Sequence, residues 1–324
     1  MAAKLAVVFG GSGFVGRNIV RELAQRGWRV RVAVRRPHHA QFLKPMGAVG
    51  QIQLSQANLR RPASVAKALE GADAVVNCVG ILFQTGAQKF NTVQSAGAGH
   101  LAVLAKEAGI TEFVHVSAIG ADEKSDSDYA RTKAEAEAAV MTAIPTARIL
   151  RPSIVFGPED AFFNRFAQMA TVSPALPLIG GGKTRFQPVY VDNVSDAVCA
   201  ALESPATAGK TFELGGPGIY SFRELLELML AEIGRRRILV PLPFSLAPIV
   251  GFMGEAAGML PFVDPMITRD QIKLLKTDNV VDTSGNVGTM SDLGVTPTSV
   301  EAVLPGYMVR FRKYGQFAEE PAST

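Results

Sequence analysis

The stretch "LAVVFGGSGFVGRNIV", Leu5 to Val20, decides the fold. Its five apolar residues Leu5 to Phe9 read as a short buried strand, the glycines that follow as a turn, and "FVGRNIV" as the opening of a helix. The glycines satisfy two overlapping patterns, G-x-x-G-x-x-G at Gly10, Gly13 and Gly16 and G-x-G-x-x-G at Gly11, Gly13 and Gly16. Glycine is needed there because the turn is tight, a pyrophosphate must approach bare backbone amides, and the helix must lie close on the strand. The helix N-terminus adds partial positive charge toward the phosphates. Gly10, Gly11, Ser12, Gly13, Phe14, Val15 and Gly16 are therefore the expected cradle of a bound dinucleotide.

Outward from this turn, as far as about Val155, strand-like runs alternate with helix-like segments: "VRVAV", "IQL", "AVVNCVG", "FVHVS" and "ARILRPSIVFG". Such alternation implies parallel strands joined by helical crossovers on both faces of a sheet. The predicted fold is α/β, a doubly wound parallel Rossmann sheet with a smaller, mostly helical C-terminal domain. The expected division is 1–205 for the dinucleotide domain and 206–324 for the smaller one, the Gly- and Pro-rich loops of 157–186 contributing partly to the latter. Within it, Ser221 stands three residues before Glu224, the spacing of a helix capping box. Ahead of the helix predicted after "ADEKSDSD", Asp126 or Ser127 is the expected N-cap.

The chain has 324 residues, 48% of them hydrophobic and 19% charged, enough to bury a substantial core. Its net charge of +4 makes a mildly basic surface. That suits an anionic cofactor or an acidic membrane surface, and without aromatic-basic interleaving no nucleic-acid partner is expected. Two cysteines, Cys78 and Cys199, exclude a disulfide framework, and His38, His39, His100 and His115 lack metal-ligand spacing, so no metal is expected. The first apolar run starts at Leu5, so neither a signal peptide nor an Arg-rich presequence is expected. The longest apolar region, Ile238 to Val263, is broken by four prolines and Glu255 and does not read as a membrane span.

Where the second strand ends, a site for NAD(H) would carry an acid to bond the adenosine ribose. No Asp or Glu occurs between Glu22 and Glu70; Arg35 and Arg36 stand there instead. Two guanidiniums suit the 2'-phosphate of NADP(H), the alternative being a solvated basic loop. Asn58 and Leu59 stand where an adenine would be flanked, and Cys78, Val79 and Gly80 follow a strand beside the cofactor groove, with Cys78 read as a packing residue.

Tyr129 and Lys133 are four residues apart, on one face of the predicted helix, and Ser117 ends the strand before them. The glycine turn, Asn77 to Gly80, Ser117, Tyr129-x-x-x-Lys133, "LRPSIVFGP" and "PVYVDNVSDAV" together resemble the short-chain dehydrogenase/reductase superfamily in its extended or atypical form. That resemblance implies that Lys133 holds the nicotinamide ribose and lowers the tyrosine pKa, that Tyr129 transfers a proton, and that Ser117 bonds a substrate oxygen. Aligned on the extended enzymes, this last position can instead fall on Ala118, which has no hydroxyl. Pro152 and Ile154 complete the implied cofactor contacts.

The C-terminal block "TRDQIKLLKTDNVV", Thr268 to Val281, together with the "GGSGFVGR" start, narrows the resemblance. The chain resembles the nucleotide-binding accessory subunits of respiratory complex I, NADH:ubiquinone oxidoreductase, and their bacterial relatives. This implies NADP(H) held mainly as a structural element and partners among the peripheral-arm subunits near the quinone site. It also implies a place on the cytoplasmic face of a bacterial inner membrane, or on the matrix side for a processed eukaryotic chain. Phe244, Leu246, Ile249, Phe252 and Met253 would then face partners or lipid and Arg235 to Arg237 anionic head groups; the alternative is that the apolar residues fill the small domain's own core. A second reading, whether the pair Tyr129 and Lys133 turns over being left open, is a free NADP(H)-dependent reductase, epimerase or dehydratase. Its small or nucleotide-sugar-like substrate would enter over Arg151, Gln187 and the "GGGKTR" loop, where Lys183 or Arg185 would meet a diphosphate.

Overall fold

The computed structural model describes residues 3–257 and 267–317. Strands β1 (Leu5–Phe9), β2 (Arg29–Val34), β3 (Ile52–Gln56), β4 (Ala74–Asn77), β5 (Glu112–Val116), β6 (Arg148–Pro152) and β7 (Thr211–Leu214) form one sheet in the order β7-β6-β5-β4-β1-β2-β3. Every pairing in it is parallel. All five residues of β1 are buried, as the uninterrupted apolar run requires of a strand covered on both faces.

Helices α1 (Phe14–Gln25), α2 (Pro62–Leu69), α3 (Ala96–Glu107), α4 (Asp128–Ala143) and α5 (Val191–Glu203) supply those covers. On one face Val65, Leu69, Leu101 and Val140 of α2, α3 and α4 meet Val7, Val75, Phe113 and Ile149 of the strands in one buried cluster. On the other, α1 packs on α5. Ser127 caps α4, its hydroxyl accepting from the Ala130 amide at 3.3 Å, so of the two expected capping residues it is the serine that serves. The strand order reverses between β1 and β4, the position beyond whose strand ends doubly wound folds take ligands.

The chain divides into two compact units. The first comprises 1–152, 191–214 and 281–296; the second comprises 153–190, 215–280 and 297–324. A linear reading draws one boundary near 205 because it cannot see the return of 281–296 to the sheet. There the Glu213 amide donates to the Gly288 carbonyl at 2.8 Å and the Gly288 amide to the Thr211 carbonyl at 2.9 Å, covering the edge of β7. A side chain at Gly288 would meet the Phe212 ring at 2.4 Å, so only glycine allows that approach.

The second unit joins short strands to helices. Ala175–Ile179 pairs in parallel with Ile238–Leu242, and Arg185–Phe186 pairs antiparallel with Tyr220–Ser221. The expected capping box is present, Ser221 Oγ accepting from the Glu224 amide and the Glu224 carboxylate from the Ser221 amide. Its core is aromatic: Phe162, Phe166, Phe186 and Phe222 meet edge to face or tilted, with Phe166 and Phe222 centroids 5.4 Å apart.

Candidate dinucleotide site

The loop from Gly10 to Gly16 leaves β1 and enters α1 with no room for a side chain at Gly10, Gly11 or Gly16. Gly10 has φ +78°, a left-handed conformation in which a Cβ would also come within 3.1 Å of the Cys78 and Val79 backbone. A Cβ on Gly16 would lie 2.3 Å from the Gly10 carbonyl oxygen, and one on Gly11 2.7 Å from the Val32 side chain. The Gly13 amide donates to the Gly10 carbonyl at 3.0 Å, closing the turn. Ser12, Phe14 and Val15 fill the positions between. Bare amides at the start of a twelve-residue helix form a cradle matched to a pyrophosphate.

The neighbouring strand ends are tied to this turn. The Gly10 amide donates to the Ala33 carbonyl at 3.3 Å, and the Cys78 amide to the Phe9 carbonyl at 2.9 Å. Just beyond β2, Arg35 and Arg36 are exposed, and neither guanidinium has a carboxylate partner among the described residues. Asn58 turns the chain after β3, its Oδ1 accepting from the Arg60 amide at 3.1 Å. Leu59 is buried in the core against Gly97, so it is its side chain's packing that the fold uses.

At the end of β4, Asn77 is buried and fully committed. Its Oδ1 accepts from the Val79 amide at 3.1 Å, so its Nδ2 donates to His115 Nδ1 at 3.1 Å, and His115 carries its proton on Nε2. Burial, aided by the charge of Lys133, pushes His115 down to about 3 and keeps it neutral. Its Nε2 has no hydrogen-bond partner among the described residues. Cys78 is half-buried and burial pushes its thiol up to about 12, which leaves it inert, in keeping with a packing role. Gly80 is exposed, and a Cβ placed there would lie 3.6 Å from Lys133 Nζ.

Lys133 and Tyr129 share one face of α4. Lys133 is 5% exposed and its Nζ donates to the Val116 carbonyl at 3.1 Å. Burial lowers it to about 8, against the opposing influence of the Glu137 carboxylate and Cys78. Its Nζ lies 5.9 Å from the centroid of the Tyr129 ring, which also meets Phe90 edge on. Burial pushes the Tyr129 phenol up to about 12. Ser117 is 4% exposed, and its Oγ has no hydrogen-bond partner among the described residues; the next residue is Ala118. Pro152 ends β6, where its carbonyl accepts from the Ile119 amide at 3.0 Å. Ile154 belongs to the second unit, its amide donating to Asn279 Oδ1 at 3.1 Å.

The residues offered for a diphosphate substrate are differently placed. Arg151 is held by Glu137 through its Nε at 3.0 Å and its Nη2 at 2.6 Å. In the second unit Arg185 pairs with Asp278 at 2.8 Å and Gln187 Nε2 donates to the Gly216 carbonyl at 2.8 Å, whereas Lys183 is exposed. Arg151 and Gln187 are thus held within the fold, whereas Arg185 is in an exposed ion pair and Lys183 has none among the described residues. The Asn77–His115 pair and the carboxylates around Arg151 escaped sequence reasoning because each joins residues distant in the chain.

A tight glycine turn after the first strand of a seven-stranded parallel sheet, with a half-buried tyrosine and a buried lysine on a later helix, defines a class. The chain belongs to the NAD dependent epimerase/dehydratase family, whose model matches residues 6–215. Within it, the chain is 36% identical over 321 residues to the Arabidopsis thaliana NADH dehydrogenase [ubiquinone] 1 alpha subcomplex subunit 9, mitochondrial, covering 96% of this chain and 79% of that protein. The Mus musculus protein of the same name is 34% identical over 322 residues, covering 99% of this chain and 84% of the relative. In fold, the chain is similar to a dTDP-glucose 4,6-dehydratase from Streptomyces venezuelae solved with NAD bound, with a TM-score of 0.71 at 20% identity over 95% of this chain and 96% of that one.

Proposed function

We propose that this protein is an accessory or assembly subunit of a respiratory NADH:ubiquinone oxidoreductase that holds NADP(H) mainly as a structural element. One observation carries the reading: a complete nucleotide cradle lies beside an incomplete catalytic set. The turn from Gly10 to Gly16 suits a pyrophosphate, yet the Ser117 Oγ is itself shut away from solvent and Ala118 follows it, so no hydroxyl is presented for a substrate oxygen. Similarity over nearly the whole chain to subunits named for that complex supports the partnership.

In this reading the amides of the glycine turn hold the pyrophosphate, and Arg35 and Arg36 bind the ribose 2'-phosphate through forked, charge-assisted bonds. The backbone after β3 at Asn58 and Leu59 flanks the adenine. Cys78, Val79, Gly80 and Pro152 line the nicotinamide half, and Lys133 clamps its ribose. When bound, a nicotinamide ring supplies hydride chemistry; with Tyr129 held near 12, the phenol keeps its proton at neutral pH.

The second unit gives the partnership a surface. Phe244 packs with Ile179, Ala247 and Ile272, so part of the apolar stretch is the unit's own core. Leu246, Ile249 and Phe252 lie on one side of the helix Ala247–Ala257 and the turn before it, 51%, 59% and 59% exposed; the Met253 side chain lies outside the described residues. Arg235 and Arg237 donate to the Phe311 and Ala170 carbonyls, which leaves Arg236 to face anions. Among the described residues no helix is long and apolar enough to cross a membrane, and we place the protein peripherally, against the arm of the complex near the quinone site.

The test is to solubilise native membranes gently, separate the complexes and follow this chain beside NADH:ubiquinone oxidoreductase activity. Co-migration with bound NADP(H) is expected. Recovery only in the soluble fraction, with steady-state NADPH oxidation that Tyr129→Phe abolishes, would replace this reading with that of a free reductase.

A further inference from the structure

Lys133 belongs to a chain of charges inside the first unit that extends beyond the site. Glu137 lies one turn along α4 on the same face, with a side chain 10% exposed. Arg151 of β6 grips it with three hydrogen bonds, Nε to Oε1 at 3.0 Å, Nε to Oε2 at 3.2 Å and Nη2 to Oε2 at 2.6 Å. On its far side Arg151 Nη1 lies 3.6 Å from Oε1 of Glu213 on β7, a carboxylate 8% exposed. Glu213 Oε2 in turn accepts from the Asp282 amide at 2.8 Å, in the returning segment that covers the sheet edge.

Two opposing effects meet at Glu137. Its negative charge favours a protonated Lys133, and the guanidinium that shares its carboxylate weakens that influence. We propose that Glu137 and Arg151 are positioning residues that together set the charge state of Lys133, and through it how tightly the nucleotide is held. The inference rests on the clamp role of Lys133 given above.

The other groups facing Lys133 leave the relevant pH range clear. Cys78 follows β4 and Tyr129 stands on its own helix, each pushed up to about 12; from β5 come His115, pushed down to about 3, and the Val116 carbonyl, which accepts the hydrogen bond from Lys133 Nζ. Lys133 itself, lowered to about 8, titrates between them. Nucleotide held by a charged lysine is therefore lost as pH rises through about 8.

The experiment measures NADPH affinity by the fluorescence of the bound nucleotide from pH 7 to pH 10. The proteins are the full chain and its Glu137→Gln, Arg151→Gln, Arg151→Lys, Glu213→Gln and Lys133→Ala variants. Removing the two partners of one ion pair must shift the midpoint in opposite directions. Glu137→Gln moves it down by about one pH unit and Arg151→Gln moves it up by about one. Arg151→Lys, which keeps the charge, restores the wild-type midpoint. Glu213→Gln, which leaves more of the guanidinium's field on Glu137, moves it down by a smaller amount and serves if Arg151→Gln does not fold. A merely structural ion pair would lower stability in every variant and leave the midpoints where they were. Midpoints that stay fixed or move in one direction, with binding still lost in Lys133→Ala, overturn the charge-setting role. Wild-type affinity in Lys133→Ala overturns the clamp itself.

Discussion

Arg35 and Arg36 are two exposed cations at the end of β2, with no acid between Glu22 and Glu70 to receive ribose hydroxyls. An unpaired guanidinium is free to give forked hydrogen bonds, and each bond to a phosphate dianion is among the stronger polar contacts available at a surface. Arg35→Asp combined with Arg36→Ala is expected to weaken NADPH binding by at least ~10-fold and to raise the preference for NADH, since each factor of ten corresponds to about 1.4 kcal/mol. Calorimetric titration with both nucleotides checks this. Unchanged NADPH affinity would show that the two arginines form only a solvated basic loop.

The turn into α1 acts as an element, because its geometry depends on atoms that are missing rather than on atoms that bond. A methyl group at Gly16 would lie 2.3 Å from the Gly10 carbonyl oxygen and 2.8 Å from Gly11 Cα, all of it backbone that cannot rotate away. Gly16→Ala is expected to push α1 off the strand, costing about 1–3 kcal/mol by overpacking and spoiling the amide cradle. Gly306 provides the control. It lies in the helix Val300–Met308 with nothing within 4 Å of a built Cβ, so Gly306→Ala gains helix propensity without a clash. Thermal melts with and without nucleotide should separate the two; equal melts would show that the turn relaxes.

For the whole molecule, a buried lysine sets binding against stability. Lys133 is lowered to about 8 in the fold, whereas in the unfolded chain it titrates near its ordinary value of 10.5. Between those values the unfolded chain binds more protons, so the nucleotide-free protein gains stability from this group as pH rises from about 8 to 10.5 and owes it nothing further above that. Lys133→Met removes the buried charge, so at pH 7 the nucleotide-free variant is expected to unfold at higher denaturant than the wild type and to lose this pH slope. NADP(H) at 100 times its dissociation constant stabilises a single-site protein by about 2.7 kcal/mol, and the variant should lose that increment. A nucleotide-free variant less stable than wild type at pH 7 would mean that the bond to the Val116 carbonyl outweighs the cost of burial.

Much of this was legible in the chain because the signals are local. The glycine spacing, the strand-helix alternation, the four-residue step from Tyr129 to Lys133 and the capping box at Ser221 each lie within one element or one turn, where backbone geometry alone ties sequence to shape. The sequence by itself thus determined the doubly wound sheet, the tight glycine turn and the helix face that presents the lysine. Only the tertiary structure decided which charges meet. Glu137 finds Arg151 and Glu213, Asn77 finds His115, Arg151 and Arg185 are bound into ion pairs rather than offered to a substrate, and 281–296 returns to the sheet. The reason is physical: a parallel sheet sets side by side strands that are tens of residues apart, and the pairing of buried polar groups depends on that juxtaposition and on the desolvation it imposes, neither of which any local pattern encodes.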